Sequence, residues 1–267
     1  MNSKTSNKIK VESWGRLIEI LYDESYQDGL GRYRSNYAFR GLSKKSYPLK
    51  TSLIRICGGK DKLESHILKN FSKYANIHDS FNYTLWNWLA IAQHHGLPTR
   101  LMDWTYSPFV AMHFATENVE RYNEDGVIWC IDFDKAHALL PQPFKEALGG
   151  SHVFTIDMLS LMIKELDDLQ KFQEEDFLLF FEPPSMDDRI INQFALHSIS
   201  SRSTTILNKI LNKHKDLYKK IIIPKKLKLE IRDKLDQANI TERVLFPGLD
   251  GLSKWLTRWY SPLKKGK

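Results

Sequence analysis

The 267-residue chain has only two cysteines, Cys57 and Cys130, which are far apart and lack any neighbouring CxxC or HxxxH spacing. That pattern excludes a disulfide framework and a cysteine–histidine zinc site. No apolar run approaches the roughly 20 residues needed to span a bilayer, so no membrane segment is expected. The opening MNSKTSNKIKVESW starts basic but leads into no apolar stretch, unlike a secretory signal. Internal repeats and low-complexity tracts are missing as well. The reading these absences leave is a soluble cytoplasmic protein.

What is present is ordinary for a protein with a sizeable core: 42% of residues are hydrophobic and 27% charged. The length suits one large domain with an appendage. The boundaries read as a flexible basic tail over residues 1–12, one domain over 13–260 and a second basic tail over 261–267. The net charge is +7. Part of the excess lies in Lys213, Lys215, Lys219, Lys220, Lys225, Lys226, Lys228, Lys264 and Lys265. A basic face of this kind attracts RNA, DNA or an acidic protein, and it equally describes a solvated helix and its flanks.

Trp14, Leu17, Ile18 and Leu21 recur at helical spacing within 11–22. Further helices are expected over 65–76, 83–94, 109–119 and 226–237. Tyr37 to Gly41 alternates as a short strand, and strands are also expected over 99–104, 127–133, 177–181, 190–199 and 218–223. Ser107-Pro108 has the form of an N-cap followed by proline at the first helical position. Without a regular βαβ repeat, the fold class is α+β.

Two stretches are more polar than their apolar setting requires. In Phe39-Arg40-Gly41, the guanidinium fork suits a phosphate or carboxylate, and Gly41 removes a side chain that would block approach. The alternative for Arg40 is a surface or ion-paired role. In Gln93 to Pro108 (QHHGLPTRLMDWTYSP), a helix ends in His94 and His95, turns, and enters a strand bearing Arg100, Asp103 and Thr105. A structural account assigns Ser107 to capping, Asp103 to a salt bridge with Arg100 and the histidines to the helix dipole. Consecutive helical residues project about 100° apart, so one histidine is expected to face a cavity and the other the interior. No metal site is expected from this pair.

These two stretches, with Ala111 to Ala115 (AMHFA), Arg189-Ile190, Gln193 and Leu245 to Leu252 (LFPGLDGL), resemble the FRG domain of bacteria and their phages. The resemblance spans about 35 to 255. The motif order is similar to that of ADP-ribosyltransferases, which implies a split mixed or antiparallel sheet core with surrounding helices, and NAD as co-substrate. On that resemblance Arg40, Ser107, Gln193 and Asp103 are the candidate catalytic residues. Arg40, Gly41, His95, Arg100, Thr105, Tyr106 and Ser107 are the candidates for binding NAD, all around one cavity. Gln193 stands where such enzymes carry a glutamate, and so brings no negative charge; Asp103 or Glu182 is the substitute carboxylate.

The implied function is a toxin or antiviral effector that modifies an RNA, DNA or protein acceptor, with an antitoxin or other neutralising partner. Two rivals remain. One is a binding module for nucleotides or nucleic acid without turnover. The other is a nuclease or NAD glycohydrolase built on His94, His95, Arg100 and Asp103.

Overall fold

The computed structural model describes residues 7–58, 63–75, 83–185 and 187–261. The outer parts of both tails, including Lys264 and Lys265, lie outside these residues. The chain runs β1 (Lys8–Lys10), α1 (Trp14–Tyr22), a small hairpin of β2 (Tyr26–Gln27) and β3 (Arg32–Tyr33), then β4 (Tyr37–Leu42). Three helices follow, α2 (Ser52–Cys57), α3 (Leu63–Tyr74) and α4 (Leu85–His94), before β5 (Leu101–Thr105) and α5 (Pro108–Thr116). Next come β6 (Gly126–Asp132), α6 (Phe133–Ala138), α7 (Gln142–Leu148) and α8 (Ile156–Met162), then β7 (Leu178–Phe181), α9 (Asp188–Asn192) and β8 (Ala195–Ser200). The last elements are α10 (Leu207–Lys213), β9 (Tyr218–Ile223), α11 (Lys228–Gln237), α12 (Glu242–Leu245) and α13 (Leu249–Tyr260).

Side-chain oxygens set many helix starts by accepting an otherwise orphaned backbone N–H. Ser13 caps α1, Thr84 caps α4, Ser107 caps α5 and Asp187 caps α9.

Seven strands form one mixed sheet in the order β1-β9-β6-β4-β5-β8-β7, so the fold is α+β. Among these seven strands, β1 and β9 alone pair in parallel. Between β4 and β5 the register contains a single pair, Phe39↔Thr105, whereas β4 pairs with β6 along its whole length. The sheet therefore opens at its centre.

The two-residue side-chain period sorts the core. Ala38, Met102, Trp104, Trp129, Phe180 and Leu196 share one apolar cluster on one face. The other face carries two. Phe39, Ile128, Cys130 and Ile221 pack with α1, α5 and α11, while Leu101, Leu179, Phe181 and Ile199 pack with α4 and α8.

Three expectations need correction. Residues 8–10, read as part of a tail, form an edge strand on β9. In place of a strand over 190–199, the strand is Ala195–Ser200; Asp187 caps a short helix before it, and Phe194 turns the chain at φ 47°. The helix starting at Pro108 ends at Thr116, short of Val119.

Candidate functional site

A cavity of about 370 Å³ lies where β4 and β5 separate. Strand alternation supplies its floor. Leu101 and Ile199 belong to the cluster under α4, so Asp103 and Thr105 on β5, with Ala195 and His197 on β8, project on that same side beyond the cluster's edge. Asp103 and His197 are register partners across the two strands, and facing residues in such a pair interact directly.

Asp103 is held from two sides. Gln93 Nε2 donates to both carboxylate oxygens, at 2.9 and 3.0 Å, while Thr99 Oγ1 donates to Gln93 Oε1 at 2.5 Å. His197 Nε2 lies 3.4 Å from Asp103 Oδ1. Burial holds the His197 imidazole below its ordinary pKa, opposed by Asp103 and reinforced by His94. His94 is likewise lowered by burial, against the pull of Asp187, whose Oδ2 is 2.6 Å from its Nε2.

Arg40 reaches the cavity from β4 and donates to the backbone carbonyl of Asp103. Burial pulls its pKa down, Asp103 opposes that and Arg55 adds to it; an arginine nevertheless stays charged. Arg55 on α2 and Arg189 on α9 complete a set of three guanidiniums in a cavity also lined by the carboxylates of Asp103 and Glu117. Arg189 stacks over Phe246, 5.1 Å from its ring centre, and donates to the His94 carbonyl at 3.4 Å. The cavity can thus hold an anion at its guanidiniums and accept hydrogen bonds at its carboxylates. Among the described residues, no group of three or more His, Cys, Asp or Glu could hold a metal ion.

Other residues build the walls. Thr105 Oγ1 donates to the Gln193 carbonyl at 2.7 Å and accepts from Ser107 N at 2.9 Å. Gln193 Nε2 donates to the Leu245 carbonyl at 2.8 Å, tying α9 to α12. Gly41 lines the cavity, but its missing side chain serves packing: a Cβ there would stand 1.8 Å from the Ala111 carbonyl oxygen. The glycine lets α5 rest directly on β4. Ligand approach is not what requires it.

Of the nine candidate residues read from sequence, Arg40, Gly41, Asp103, Thr105 and Gln193 line the cavity, and the other four do not. Arg100 is buried: its amide and guanidinium bond Glu64, and it also donates to the Leu166 carbonyl and Asp167. Asp103 is therefore not its salt-bridge partner. Ser107 caps α5 by accepting from Val110 N at 3.3 Å. Tyr106 turns to the opposite face, donating to Glu182 Oε1 at 3.0 Å, which also removes Glu182 as the substitute carboxylate. His95 is exposed to solvent beyond α4, its ring perpendicular to that of His94, so the expected divergence occurs without an inward-facing partner.

Gln93, Arg55, Glu117 and His197 also line the cavity without being candidates from sequence, and His94 is a candidate only on the hydrolase reading. Gln93 and His94 stood in the polar motif itself, and His197 was findable from strand pairing with Asp103. Arg55 and Glu117 carried no local signal.

The basic stretch is also less uniform than its sequence. Lys228 is fully buried, donating to the Ser43 and Arg121 carbonyls, and burial lowers its pKa to about 8. Lys219 pairs with Asp23 and Glu24, and Lys213 with Glu175. No helix among the described residues is long and apolar enough to cross a membrane.

Comparison with curated proteins and with solved structures found no match. The FRG domain family model matches residues 35–124, a segment that supplies Arg40, Arg55, Gln93, His94, Asp103, Thr105 and Glu117 to the cavity. The remaining wall, with Arg189, Gln193, His197 and Phe246, comes from chain beyond that match. The match places an FRG domain within residues 35–124.

Proposed function

We propose that the cavity binds NAD and that the chain transfers ADP-ribose to a nucleic acid or protein acceptor. The observation that carries this reading is the meeting of Arg40 and Asp103 in one cavity at the opening of the sheet. NAD calls for both signs of charge. Its pyrophosphate suits planar guanidiniums, for which Arg40, Arg55 and Arg189 are available. Its ribose gains positive character as the bond to nicotinamide breaks, and a carboxylate beside it lowers that barrier. The electron pair of that bond leaves with nicotinamide, while the acceptor oxygen or nitrogen joins the ribose carbon and loses its proton.

Asp103 is the carboxylate we assign to this step in place of a glutamate at position 193. Gln93 and His197 keep it in position. The opening between β4 and β5 supports a split-sheet core of the ADP-ribosyltransferase type. A toxin or antiviral role, with a neutralising partner, belongs to the same reading.

A binding module without turnover is the second reading, favoured by Gln193, whose amide is committed to the Leu245 carbonyl. The hydrolase reading loses support because His95 is exposed outside the cavity and Arg100 is buried against Glu64, leaving only His94 and Asp103 of its four residues at the cavity. Incubation with NAD labelled in its adenosine part, in the presence of RNA, DNA or total protein, separates the first two. Transfer of label with release of nicotinamide, lost in Asp103→Asn, is the expected result. Saturable NAD binding with no release leaves the binding module.

A further inference from the structure

Glu117 follows the last turn of α5 and lines the cavity. The negative end of the helix dipole disfavours a carboxylate there, so helix stability does not account for it. Among the described residues its one polar contact is His113 Nε2, 3.5 Å from Oε2. His113 is fully buried, and no other group meets that nitrogen. The other ring nitrogen, Nδ1, lies 2.7 Å from Arg232 Nη1. A guanidinium can only donate, so Nδ1 accepts and the ring proton sits on Nε2, the nitrogen near Glu117.

Arg232 is itself fixed by Asp236 and the Ile240 carbonyl. Arg258 then clamps Asp236 and Glu242 with four hydrogen bonds of 2.6 to 2.8 Å. A buried chain across α13, α12, α11 and α5 thus reaches His113, whose unmatched Nε2 lies 3.5 Å from a cavity carboxylate. Support of this kind orients a group that binds ligand.

The two cavity carboxylates differ in what they have left to offer. Both oxygens of Asp103 already accept from Gln93, while Glu117 keeps nearly all its acceptor capacity. A carboxylate repels phosphate and accepts from hydroxyls, and guanidiniums do the reverse. We propose that Glu117 binds the vicinal hydroxyls of a ribose, so that the cavity selects ribose-bearing phosphate esters over bare polyphosphates. Only the naming of NAD as that ester rests on the transferase reading; the selection itself stands on His113 and Glu117.

Calorimetric titration of the full chain with ADP-ribose and with inorganic pyrophosphate tests this, using wild type and Glu117→Gln with matched melting curves. The substitution should weaken ADP-ribose by about tenfold or more, as loss of hydrogen bonds to a charged group implies, and leave pyrophosphate as tight or tighter. His113→Phe should weaken ADP-ribose in the same selective way. Equal affinity of wild type and Glu117→Gln for ADP-ribose, or an equal loss for both ligands, overturns the assignment. Wild type that binds no ADP-ribose overturns it too. Selective ADP-ribose binding without NAD turnover removes the transferase reading and leaves Glu117 in place. Turnover with an indifferent Glu117→Gln does the opposite.

Discussion

Arg100 stands at the entrance to β5, and Arg40 lies on the neighbouring β4. Arg100 is closed in by Glu64, the Leu166 carbonyl and Asp167, so its charge is matched inside the packed region beside α4 and α8. Among the described residues Arg40 has one hydrogen-bond partner, a backbone carbonyl, and it lines a cavity. Five donors in a guanidinium make the contrast informative. A closed set of partners marks an arginine that holds the fold; an open set marks one with capacity for a ligand.

The largest effect should come from Arg100→Ala. It strands Glu64, which is 2% exposed, and should cost about 3–5 kcal/mol in urea melts. A loss under about 1 kcal/mol would break the comparison at its packed end.

Acid should act next, again on the packed region. His137 is 3% exposed, its Nδ1 is 2.9 Å from the His152 carbonyl, and its Nε2 accepts from Phe180 N at 2.9 Å. Burial lowers its pKa from 6.5 to about 4. Since the folded value is the depressed one, its contribution is fully present above pH 6.5 and disappears as the pH falls to about 4. The loss is about 3 kcal/mol. His94 and His197 shift in the same direction, so the test is wild type against His137→Gln: melts at pH 7 and pH 4 should differ less in the variant.

Gly41→Ala should be destabilising by about 1–3 kcal/mol, because the new methyl meets the rigid backbone of α5. If ligand approach were instead the reason for glycine, binding would fall while the melt stayed put. Ser107→Ala should cost only about 1 kcal/mol as a lost cap. Its ligand affinity should be unchanged, which would separate it from the cavity residues.

Local chemistry made much of this legible. β9 was readable from Tyr218 to Ile223 because a β-branched run is bounded by Pro224. Ser107-Pro108 was readable because capping is a matter of adjacent residues. What stayed hidden depended on distance or brevity. Arg100 looked like a ligand residue because Glu64 is 36 positions away on another helix. Asp188–Asn192 is too short to show a helical period, and Ile190-Ile191 imitates a strand. Lys8–Lys10 reads as a frayed tail until β9 pairs with it. At Gly41 the sequence shows that a side chain is absent and not that α5 occupies its place.

The most direct measurement of the central claim is nicotinamide release from NAD by wild type, Arg40→Lys and Arg40→Ala, each with its thermal melt. The account predicts release by wild type and near-complete loss in both variants, because lysine keeps the charge but not the planar fork. Their melts should stay close to wild type. Undiminished release by a stable Arg40→Ala protein, or unfolding of that variant, would contradict it.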